Sequence, residues 1–134
     1  MKRFASLVGL ALVMAEVALA SSPAAGQWQG RVKDMPAVTL KVGDDAGKLS
    51  GTVTFFVVKD QGSGPQVVGH LEIPMLHPRF DGRALLFEIN QDRQHSPPGA
   101  APGVVRFKMK LLGADEGEFV KAGETSGVRM KRVR

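Results

Sequence analysis

The chain contains no cysteine, no tyrosine and a single tryptophan, and aromatic residues make up only 6% of its 134 positions. Without thiols there is no disulfide framework, no Cys-ligated zinc module and no thiol redox chemistry. Nor is there a run of about 20 uninterrupted apolar residues, the length a spanning helix requires. What is present, 43% apolar and 23% charged residues, is too apolar for a disordered tail and describes one ordinary globular domain.

Residues 1–20, MKRFASLVGLALVMAEVALA, start with Lys2 and Arg3, run apolar from Phe4 to Val13, and end with Ala18 and Ala20 at the two small positions of an A-x-A site. The pattern predicts a signal peptide over 1–20, cleaved before Ser21, and a secreted or periplasmic protein. Glu16 interrupts the apolar run, which argues against a membrane anchor, and no Cys follows it for lipid attachment. The mature part, 21–134, is expected to be one domain that does not span the membrane. Removing Lys2, Arg3 and Glu16 takes the net charge from +5 to +4.

Gly and Pro are spread through the mature part and leave little room for helices. Between them lie runs of period two, the signature of half-buried strands. Val38, Leu40 and Val42 alternate with Thr39 and Lys41. Leu49, Gly51, Val53, Phe55 and Val57 alternate with Ser50, Thr52, Thr54, Phe56 and Val58. The turn residues Gly43 to Lys48 join these two runs as a hairpin. Val67 to Ile73 forms a further strand, stopped by Pro74, and His77 to Phe80 leads into Asp81-Gly82, a hairpin turn signal. Leu85, Phe87 and Ile89 continue as a strand, although Arg83 to Ser96 also fits a short helix. After the Pro-rich loop Gln94 to Gly103, Val105, Phe107, Met109 and Leu111 alternate with Arg106, Lys108 and Lys110. Glu118 to Lys121 and a last strand, with Val128 and Met130 inward and Arg129 and Lys131 outward, complete the chain. With Gln27 to Lys33 as the first strand, the expected fold is all-β: an antiparallel meander of about eight strands closed into a small barrel, which leaves no edge unpaired.

Gly26-Gln27-Trp28 is a G-x-W at the start of the first strand, and Arg129, Arg132 and Arg134 lie in or beside the last. The chain thereby resembles the calycin barrels, which comprise the lipocalins, fatty-acid-binding proteins and avidins. The resemblance implies a first-strand Trp28 covered by a basic side chain of the closing strand, Arg129 or Arg132, as a barrel-end cap. An indole face attracts a guanidinium, which gives the pairing its physical sense. The cadence Leu49-Ser-Gly-Thr-Val-Thr-Phe55 and Asp81-Gly-Arg-Ala-Leu-Leu-Phe-Glu-Ile89 is also similar to that of small exported bacterial barrels. The Tyr- and Trp-rich biotin pocket of avidins is excluded by composition.

No catalytic constellation is legible. Ser50, Ser63, Ser96 and Ser126 lack a G-x-S-x-G elbow, and no phosphate-binding Gly motif occurs. His70, Glu72 and His77 have the chemistry of metal ligands, but nothing in the sequence brings His77 onto the face of the other two. The expectation is a protein that is not an enzyme and carries neither metal nor cofactor. Arg106, Lys108, Lys110, Arg129 and Lys131 should form an outward positive stripe, a site of weak contact with anionic lipid or an envelope protein. Nucleic acid is not expected as a partner, because the Phe residues fall mostly on inward positions. The inward set Leu40, Leu49, Val53, Phe55, Val57, Leu71, Phe87, Phe107, Met109 and Met130 is apolar throughout. It admits two functions: a barrel that holds a small hydrophobic ligand among Trp28, Phe55, Phe87, Phe107 and Met109, or a filled structural or protein-interaction barrel of the bacterial envelope.

Overall fold

A computed structural model describes residues 22–60, 62–91 and 103–134. The expected signal peptide and most of the Gln94 to Gly103 loop lie outside these residues. Nine strands follow one another: β1 (Gly26–Val32), β2 (Met35–Asp45), β3 (Lys48–Asp60), β4 (Pro65–Pro74), β5 (Leu76–Phe80), β6 (Ala84–Gln91), β7 (Gly103–Leu111), β8 (Glu116–Lys121) and β9 (Val128–Val133). All pair antiparallel in a single sheet of order β4-β3-β2-β1-β9-β8-β7-β6-β5. No helix occurs among the described residues, and Ala84 to Gln91 is a strand paired along its length with β7.

The hairpins follow from local turn chemistry. Ala46 and Gly47 between β2 and β3 both have positive φ, as do Lys33 and Asp34 between β1 and β2. Two such residues in succession make the turn whose twist matches that of the strands it joins. Between β5 and β6, the Asp81 carboxylate accepts hydrogen bonds from the backbone N–H groups of Arg83 and Ala84, both at 2.8 Å.

Alternation sorts the two faces. Trp28, Leu40, Val53 and Ile73 lie side by side on β1, β2, β3 and β4 and are all buried. The row one residue away, Gln29, Thr39, Thr54 and Glu72, faces outward. Leu85, Phe87, Ile89, Met109, Phe119 and Met130 complete the core from the other half of the sheet. Of the expected inward set, Phe55 and Leu49 are only half-buried and pack on the rim of the core, and Val57 and Leu71 are likewise intermediate.

The expected closure is corrected: the sheet curls through 243° and does not close. The reason lies at the joint between its two edges. β4 and β5 are the edge strands, and only Met75 separates them in the chain. Two segments that run head to tail through one residue cannot also lie side by side as hydrogen-bonded neighbours. Proline marks the same strands, Pro65 and Pro74 ending β4 and Pro78 within β5, as expected where a ladder is left incomplete. The joint is anchored instead to β3, where the Met75 N–H donates to the Gly51 carbonyl at 2.9 Å.

Gly51 has no room for a side chain. A Cβ there would collide with the Lys41 carbonyl oxygen and stand 2.9 Å from Met75 Sδ, whereas a Cβ at Gly69 would meet nothing within 4 Å. Gly51→Ala is expected to cost about 2 kcal/mol in urea unfolding by overpacking, and Gly69→Ala to change stability by less than about 0.5 kcal/mol. Asp81 provides a second check. Its carboxyl is held below the ordinary 3.8, first by the Ala84 N–H and then by that of Arg83. A carboxylate with a lowered folded pKa stabilises above its unfolded value, and that contribution is lost as pH falls through the folded one. The stability gap between the wild type and Asp81→Ala should therefore be full near neutrality and narrow below about pH 4; a gap that widens in acid would contradict the turn's role.

Candidate functional site

Among the described residues, chemistry-bearing side chains gather at one end of the curled sheet, in a hollow beside β6 and β7, and in two hollows on the outer face of β9 to β4.

At the end, Trp28 pairs in register with Arg132 of β9, and the guanidinium carbon stands 4.3 Å from the indole centroid. The parity of β9 explains the choice of arginine: Arg132 shares the side of buried Met130, whereas Arg129 lies on the other. Arg129 does not meet Trp28; it pairs with Glu116 at 3.4 Å. Arg132 satisfies its donors on the backbone around it, through Nη2 to the Pro23 carbonyl at 2.6 Å, Nη1 to that of Ala25, and Nε to that of Ala114 at 3.2 Å. Asp115 Oδ1 lies 3.4 Å from Nε. The indole N–H donates to the Ala24 carbonyl at 2.9 Å, which folds residues 22–25 over the ring. Gly26 completes the arrangement: its φ is +119°, and a Cβ there would stand 2.7 Å from Arg132 Nη1.

Inside, the residues expected to contact a ligand pack against one another and their neighbours. Phe55 of β3 reaches across to β7 and β8, with its ring 5.8 Å from Phe107 and 6.3 Å from Phe119. Phe107 and Phe119 stack at 4.9 Å, and Phe87 lies about 6 Å from both. Trp28, Met109 and Met130 have no exposed surface. Of the five expected ligand contacts, four rings and Met109 thus lie in or against this packed core.

Beside it, a hollow of about 410 Å³ is lined by Arg79, Leu86, Glu88, Arg106, Lys108 and Lys121, with Phe87, Phe107 and the Ala122 to Glu124 turn also bordering it. The sheet register sets its order: Leu86 stands between Arg79 on β5 and Lys108 on β7, and Glu88 stands opposite Arg106. Glu88 is shared by His77 at 3.8 Å and Arg106 at 3.9 Å. His77 is therefore on β5 beside Glu88, apart from His70 and Glu72 on β4. Sequence reading placed Arg106 and Lys108 on an exposed face but missed Arg79, Leu86 and Lys121, whose meeting depends on which strands pair.

The positive stripe is interrupted. β8 lies between β7 and β9, and its outward residues are carboxylates: Glu118 is flanked by Lys110 and Arg129, and Glu116 lies opposite Lys131. A row that alternates in sign presents a weaker field than five unbroken cations. At β9 and β1 a hollow of about 450 Å³ is lined by Gln29, Arg31, Arg129, Lys131, Arg132 and Val133; Glu116 stands opposite Lys131 and pairs with Arg129, and Asp115 pairs with Arg132.

If the end cap holds the fold together, Trp28→Ala should cost at least about 3 kcal/mol. Arg132→Met, which keeps the stem but loses the donors, should cost about 1 kcal/mol, and Arg129→Met less than about 0.5 kcal/mol. Urea unfolding followed by circular dichroism checks all three. Comparison with protein-family models, curated proteins and solved structures returns no match, so a functional reading rests on the geometry alone.

Proposed function

We propose that the protein is an exported, non-enzymatic binding module that takes a small amphipathic anion, such as a medium-chain carboxylate, in the hollow beside β6 and β7 and not inside the sheet. The observation that carries this reading is the placement of Leu86 between Arg79 and Lys108. Neighbouring strands lie about 4.8 Å apart, so the two cations flank an apolar surface about 10 Å across. An acyl tail would lie on Leu86 and the Ala122 turn, while its carboxylate would face Arg106, Lys108 or Lys121. Arg79, Arg106, Lys108 and Lys121 stand against Glu88 and Glu124, so the net charge of the hollow is positive. A volume of about 410 Å³ falls within the range of small-molecule sites, about 300 to 1,000 Å³.

A second reading has one observation in its favour. The contact of Phe55 with Phe107 and Phe119 across the interior suits a filled structural or interaction barrel of the envelope that binds no small molecule.

Calorimetric titration separates the two. Decanoate should bind, decanol should bind more weakly, and Arg79→Ala combined with Lys108→Ala should weaken decanoate binding about ten-fold, or about 1.4 kcal/mol. Added salt should weaken it further, because the charges are exposed. Equal binding of acid and alcohol, unaltered in the double variant, would refute the cationic site. Absence of binding by either would favour the filled module.

A further inference from the structure

The outer face of the other half of the sheet carries a second surface, independent of the hollow beside β6. Here Lys131, Gln29, Thr39, Thr54 and Glu72 stand in one row, on β9, β1, β2, β3 and β4 in turn. At about 4.8 Å per strand the row is about 19 Å long. Its middle is a hollow of about 350 Å³, with Phe56 and His70 on one side and Gln27 and Lys41 on the other. Thr39 is only 8% exposed, because longer side chains rise around it. Two short hydroxyls thus form a floor between the Gln29 amide and the Glu72 carboxylate, with a half-buried ring beside it; Phe56 and His70 lie 6.3 Å apart.

The chemistry of that row is not the chemistry of a lipid or a hydrophobic peptide. The Gln27 and Gln29 amides and the Thr39 and Thr54 hydroxyls both donate and accept, as the hydroxyls of a sugar do, and the electron-rich face of an aromatic ring suits the C–H side of a pyranose. At its β1 end the groove continues into the cationic hollow of Arg31 and Lys131, and the two hollows share Gln29. Positive charge at one end of the row, with Lys41 beside it and the Glu72 carboxylate about 19 Å away at the other end, suits a sugar chain whose carboxylate lies at the Arg31 and Lys131 end.

We infer that this face binds an acidic oligosaccharide, with neutral ring hydroxyls over Gln29, Thr39 and Thr54 and a carboxylate at Arg31 and Lys131. The probe is an oligogalacturonate, compared with a malto-oligosaccharide of the same length and a single-stranded oligonucleotide. Heteronuclear NMR titration should show binding of the oligogalacturonate, weaker binding of the neutral sugar, and little of the oligonucleotide. Gln29→Ala and Thr54→Val should each weaken both sugars about five-fold. Lys131→Gln should weaken the acidic sugar alone, and Lys59→Gln, outside the groove, neither. Lys41→Ala, at an exposed position beside the amides, serves if Gln29→Ala fails to fold. No binding of the oligogalacturonate, oligonucleotide binding of equal strength, or unchanged affinity in the groove variants would each overturn the inference. None of these outcomes bears on decanoate, whose site lies on β5 to β8.

Discussion

The contact of Arg132 with Trp28 is the constraint on which the rest of the structure depends. A guanidinium has five donors in a fixed fork and loses much of its hydration when laid on an indole, so each donor must find an oxygen nearby. Those oxygens are carbonyls of Pro23 and Ala25 before β1 and of Ala114 before β8, together with Asp115. One side chain of the last strand thus ties down the entry to the first strand and the turn between β7 and β8. Gly26 follows from the same contact, since a side chain there would displace the fork. With the end sealed by a bulky indole and the middle filled by four phenylalanine rings, the apolar face is consumed by packing. On the outside, strand pairing sets polar side chains in rows.

The open seam is the other side of that economy. An unpaired edge strand invites pairing with another chain unless it is short, charged or interrupted. β5 is five residues long, carries Pro78 and Arg79, and bends at His77, whose φ is +51°. β4 is longer and less guarded, with Val67 and Val68 exposed between Pro65 and His70. The Met75 joint keeps both edges at one corner and fastens that corner to Gly51, so the curled shape persists without a closing ladder.

Much of this was legible in the sequence, because alternation is a strong signal wherever one face is buried. The faces of β2, β3, β7 and β9 follow directly from it, as does the Asp81-Gly82 turn. The ambiguity over Arg83 to Ser96 is resolved for Ala84 to Gln91 by pairing with β7, a long-range fact that no local pattern contains. The cap was half legible. Alternation in β9 puts Arg132 on the side of Met130 and excludes Arg129, a parity argument sufficient to choose between them. The interrupted stripe was legible in the same way, since Glu116 and Glu118 share the outward parity of Lys110 and Arg129 once β8 is placed between them. Closure was not legible, because it turned on a single residue between β4 and β5. Nor were the hollows, because Arg79 with Lys108, and Gln29 with Thr54, are neighbours only through strand order.

The central claim is that the core of this protein is filled and that its ligands lie on the outside of the sheet. Amide and indole NMR shifts during a decanoate titration test it most directly. The account predicts shifts confined to Arg79, Leu86 to Glu88, Arg106 to Lys108 and Lys121 to Glu124, with the Trp28 indole N–H unmoved. Shifts centred on Trp28, Leu40 and Met130 would contradict it, since they would place the ligand inside.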